Sequence, residues 1–120
     1  MIHGVEVVEV PVPRGGEEAA RQFYGVVLGL REINRSAGLG RETGSYYILP
    51  DGRELFCRTT DVFRPNRKTC LTFHVASLNA LDDVLGRAGH RTEWDFSTAR
   101  PRFYCQDPFG NRLHFIEVQE

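Results

Sequence analysis

The chain has 120 residues, 41% of them apolar and 26% charged, with a formal net charge of −1. That length supports one ordinary domain with a real core, and the balanced composition excludes a collagen-like, coiled-coil or extensively disordered chain. Near-neutral charge excludes the basic footprint of a nucleic-acid binder, and no run of about 18 apolar residues offers a membrane span.

The opening MIHGVEVVEV alternates and carries acids, unlike a signal peptide, so a soluble cytoplasmic protein is expected. VEVVEVPVP (Val5 to Pro13) has period two and predicts a strand ending at a proline turn. Gly15 and Gly16 break it, Glu17 and Glu18 suit the positive end of a helix, and Ala20, Phe23, Val27 and Leu30 follow at helical spacing. A helix is therefore expected near residues 16–29, with Gly29 as its stop. Strands are predicted over Arg31 to Arg35, Gly44 to Leu49 and Glu54 to Arg58, the last two joined by the PDG turn, Pro50 to Gly52.

After the polar loop TTDVFRPNR the plan repeats. TCLTFHV (Thr69 to Val75) reads as a strand. Ser77 caps a helix over residues 77–88 with Leu78, Leu81, Val84 and Leu85 on one face. RTEWDF, RFYCQ and NRLHFIEV read as strands, the last two joined by DPFGN, Asp107 to Asn111. The order β-α-β-β-β thus occurs twice, an internal duplication. One helix per unit covers one sheet face and leaves the other without a helix, so a concave ligand site is expected. A single domain over residues 1–120 follows, with units at 5–58 and 68–118.

Cys57, Cys70 and Cys105 form no C-x-x-C pair and sit in strand-like apolar runs. A structural zinc site of the usual spacing is excluded, and small buried thiols are expected.

The runs EEAARQFYGVVLGL, SLNALDDVLGRAGH and RFYCQDPFGNRLHFIE resemble the vicinal-oxygen-chelate superfamily, which includes glyoxalase I, bleomycin-resistance proteins, fosfomycin-resistance transferases and extradiol dioxygenases. The likeness spans about Val5 to Glu117. It implies an α+β fold of paired βαβββ units forming a cup-shaped mixed sheet, and a homodimer whose cup holds the site. Metal-dependent members carry ligands on the first, fourth, fifth and last strands. By that resemblance the ligand positions fall here on Val7, Phe56, Cys70 and His114. Valine and phenylalanine cannot bind a divalent ion, so the expected state is metal-free, with no cofactor.

Strand parity extends the set of candidates. Cys70, Thr72 and His74 share a face, Glu9 shares one with Val7, and Arg112 and Ile116 share one with His114. The candidate ligand-binding residues are therefore His114, His74, Cys70, Glu9, Phe56 and Arg112. Tyr46, Tyr47, Trp94 and Tyr104 are further candidates for the cavity wall, and parity does not choose between Tyr46 and Tyr47. Three readings follow. The first is a metal-free homodimer that binds a small organic molecule, as drug-sequestering proteins do. The second is a lyase or dioxygenase-like enzyme with a divalent metal on relocated ligands Glu9, Cys70, His74 and His114. The third is a non-catalytic dimerisation or regulatory module.

Overall fold

Both halves of the chain fold to the same order of elements, each around a four-stranded mixed sheet. The computed structural model describes residues 1–34, 43–68 and 71–118. The chain divides into two compact units, Met1–Arg64 and Pro65–Glu120.

The first unit runs β1 (Val7–Pro13), α1 (Glu17–Ala20) with a continuation over Arg21–Val27, β2 (Arg31–Ile33), β3 (Gly44–Ile48) and β4 (Glu54–Thr60). Its sheet order is β1-β4-β3-β2, with β1 parallel to β4 and the other pairs antiparallel. The second unit runs β5 (Leu71–Val75), α2 (Leu78–Arg87), β6 (Thr92–Asp95), β7 (Arg102–Gln106) and β8 (Arg112–Glu117). Its order, β5-β8-β7-β6, has the same parallel and antiparallel pattern. The expected α+β class and twofold βαβββ plan are both present.

In the first unit, Val10, Val12, Tyr47, Leu55 and Cys57 form the helix-side face, with Ala20, Phe23 and Tyr24 packed on it. The sequence periodicity predicts one α-helix here, but only Glu17–Ala20 is α-helical. Arg21–Val27 is wound more widely as a π-helix, and the Leu28 N–H donates to the Phe23 carbonyl five residues back at 2.9 Å. The wider turn lets two adjacent rings, Phe23 and Tyr24, face the same sheet. They meet edge to face at 5.0 Å, and both are buried.

In the second unit, Phe73, Phe103, Phe115 and Leu113 form the helix-side face under Leu78 and Leu85. Ser77 caps α2, its hydroxyl accepting from the Ala80 N–H at 3.1 Å, and Glu117 Oε1 accepts from the Leu78 N–H at 3.0 Å. Val84, expected on the buried stripe, is 41% exposed. It lies about 100° around the helix from its neighbour Leu85. Burying each large apolar side chain contributes roughly 1.5–3 kcal/mol, so each face stabilises its own unit.

The DPFGN turn is fixed by its own side chains. Asp107 Oδ1 accepts the N–H groups of Phe109 and Asn111, both at 2.9 Å, and its Oδ2 accepts from Asn111 Nδ2 at 2.8 Å. Asn111 Oδ1 in turn accepts the Asn66 N–H at 2.8 Å, which ties the entry of the second unit to β8. The strand predicted over Arg31 to Arg35 ends at Ile33, and its last residue, like Thr69 and Cys70 before β5, lies outside the described residues.

Candidate functional site

Strand alternation sends every second side chain to the face that carries no helix of its own unit. On the first sheet that row holds Val7, Glu9, Tyr46, Phe56 and Arg58, in register across β1, β4 and β3. Tyr46 stacks on Phe56 with centroids 4.1 Å apart and planes 5° off parallel. Tyr47 points to the other side and packs on Tyr24, which settles the choice between the two tyrosines. Glu9 is held by Arg58, whose Nε lies 3.2 Å from its carboxylate. On this face Glu9 and Arg58 pair with each other.

On the second sheet the same row holds Thr72, His74, Arg102, Tyr104, Arg112 and His114. His114 is only 7% exposed. Its Nδ1 lies 3.2 Å from the Thr72 hydroxyl, its ring stacks on Tyr104 at 4.4 Å and 11°, and the Arg112 guanidinium covers Tyr104 at 3.8 Å. Its Nε2 is buried without a hydrogen-bond partner among the described residues, and so is Nε of Arg102. Burial, and then the charges of Arg102 and Arg112, hold the imidazole below its usual pKa of 6.5, with Asp95 opposing. Asp95, opposite Arg102 in the β6–β7 ladder, accepts on Oδ1 from the Ser97 hydroxyl and N–H at 2.5 and 2.9 Å.

The structure therefore gathers His114 and Arg112, through Tyr104, into one stack. His74 lies on the same face, opposite Ile116, but is exposed. Glu9 and Phe56 are partners in the first sheet, and Cys70 lies outside the described residues. Trp94 is in register with Phe103 and packs on it at 5.2 Å, so it belongs to the core row and not to the cavity wall. Arg102 escaped the sequence reading. The signal was present, since Arg102 has the parity of Tyr104, two residues away on β7. A cavity of about 450 Å³ lies beside the stack, lined by His90, Arg91, Glu93, Tyr104, Gln106 and Arg112 among others.

Fit to a divalent ion can be judged from the donors. In the first unit Val7 and Phe56 offer none, and the Glu9 carboxylate is occupied by Arg58. In the second, His114 sits among arginine charges that disfavour a cation. Among the described residues no three His, Cys, Asp or Glu side chains gather as a ligand group. The described residues at the ligand positions, Val7, Phe56 and His114, do not make up a divalent-ion ligand set; the fourth position, Cys70, lies outside the described residues.

A twice-repeated βαβββ plan, each copy built on its own four-stranded mixed sheet, defines the class of fold. Over 99% of its length the chain matches a glyoxalase family protein from Bacillus anthracis, covering 98% of that protein at 31% identity and a TM-score of 0.91. The chain belongs to the glyoxalase/bleomycin-resistance/dioxygenase superfamily, the vicinal-oxygen-chelate proteins. Two further structures share the fold. TnmS3, an antibiotic binding protein from Streptomyces sp. CB03234, matches at TM-score 0.72 and 21% identity, over 98% of each chain. FosX, a genomically encoded fosfomycin resistance protein from Listeria monocytogenes, matches at 0.73 and 13%, over 100% of this chain and 94% of its own. No family model and no curated protein sequence matches the chain.

Proposed function

We propose that the protein binds a small organic molecule on the helix-free face of its second sheet, without a metal, as a cytoplasmic homodimer. The observation that carries this reading is His114, a buried imidazole held by Thr72 and Tyr104 with Nε2 left unpartnered among the described residues. An unpaired buried polar atom costs about 1–3 kcal/mol, and a ligand that pairs it recovers that energy on binding. Apolar and aromatic walls with a few placed polar groups are what small-molecule sites use. The antibiotic binding and fosfomycin resistance proteins that share the fold support the same direction. Homodimerisation rests on the one-helix-per-sheet plan and is checked by sedimentation at micromolar concentration.

The test is a ligand-observed NMR screen of small aromatic acids and their amides, run in excess chelator against the protein and His114→Ala. Compounds that bind are expected to lose about tenfold or more in affinity on the substitution, as loss of one buried partner implies. Binding that needs added zinc or nickel, or that ignores His114→Ala, overturns the reading.

A further inference from the structure

Two donors on one face lack an acceptor, and the duplicated unit shows that the topology does not require them. Arg102 pairs in register with Ile116, and Tyr104 with His114, across the antiparallel β7–β8 ladder. Arg102 and His114 are thus diagonal neighbours on one face, a spacing that long side chains span. Nε of Arg102 and Nε2 of His114 are both buried and unpartnered among the described residues. In the first unit the matching positions, first in β3 and third in β4, are Gly44 and Phe56. There a Cβ on Gly44 would sit 2.8 Å from the Phe56 ring. One copy fills the space with an aromatic ring; the other places a guanidinium and an imidazole in it.

We infer that Arg102 and His114 together receive a carboxylate of the ligand, making the protein a binder of organic acids. This rests on the ligand-binding reading of the same sheet face. The Thr72 hydroxyl and Nδ1 lie 3.2 Å apart; in the tautomer that accepts from this hydroxyl the neutral imidazole carries its proton on Nε2, and both orphan groups are then donors that call for one acceptor. An arginine fork matches the planar geometry of a carboxylate. Arg112 is placed over Tyr104. Asp95, opposite Arg102 on the β6–β7 ladder, accepts on Oδ1 from Ser97, and Nε of Arg102 is still without a hydrogen-bond partner among the described residues. Arg102 is only partly buried, so its guanidinium borders solvent. Arg102 is in this account the residue that sets specificity.

Benzoate and benzamide, equal in shape and different in charge, test it. Each is titrated into the full chain while the His114 ring signals are followed by long-range proton–nitrogen correlation. Benzoate is expected to move those signals saturably, with at least tenfold higher affinity than benzamide. Arg102→Gln, with folding checked by circular dichroism, is expected to bring benzoate down to the affinity of benzamide, and Arg102→Lys to retain part of the preference. Equal binding of the two compounds by the unmodified protein, or benzoate affinity unchanged in Arg102→Gln, overturns the inference. If only amides or other neutral compounds shift His114, the carboxylate assignment falls and the ligand-binding reading stands. If no compound of either kind shifts it, both fall.

Discussion

Phe56 and His114 occupy the same place in two copies of one unit, each stacked on a tyrosine two positions into the neighbouring strand. Around Phe56 the arginine of β4 meets Glu9, and the charges close on one another. Around His114 the arginine comes instead from β7, and no carboxylate among the described residues meets its Nε. The shared topology supplies a stacking platform in both sheets, and the side chains placed on it differ: a phenylalanine beside a Glu9–Arg58 pair in one, an imidazole beside Arg102 in the other.

The largest effects should fall where the copies are alike. Phe23→Ala and Phe103→Ala remove buried rings from the helix-side core of each unit, and each should cost about 3–5 kcal/mol in denaturant unfolding. A loss below about 1 kcal/mol in either would show that the two cores are not equivalent. Next is Gly44→Ala. Gly44 has φ +149° and would bring a Cβ to 2.0 Å from the Cys57 carbonyl oxygen, so about 1–3 kcal/mol of strain is expected. An unchanged melting temperature would break the account of why a side chain is possible at 102 and not at 44.

The smallest effect sharpens the comparison most. His114→Phe makes the second face resemble the first, removing the orphan nitrogen while keeping a ring on Tyr104. Stability at pH 8 should rise by about 1 kcal/mol, because replacing an unpaired buried polar group by an apolar one is neutral or favourable. The gap should widen on acidification. A histidine whose folded pKa lies below the unfolded value of 6.5 binds fewer protons when folded. It therefore costs stability as pH falls from 6.5 toward the folded pKa, and nothing above 6.5. A gap that narrows between pH 8 and 5, followed by thermal unfolding, would show that the folded state prefers the charged imidazole.

Much of this was legible in the residues alone. Period-two runs, paired glycines and the Pro/Gly/Asn turn define both βαβββ units because these signals are local to one element. Parity likewise put Arg112 on one face of β8 with His114, and His74 on one face of β5 with Thr72. Tertiary structure decided the rest. It turned Tyr46 rather than Tyr47 away from the helix, widened α1 so that Tyr24 enters the core, and left Val84 in solvent. It also brought Arg102 beside His114, separated in sequence by a whole hairpin, and kept both nitrogens from any described acceptor. Alternation says which side chains share a face of one strand; which neighbours they meet, and whether those meetings satisfy them, depends on register between strands and on burial, and neither is written in a local pattern.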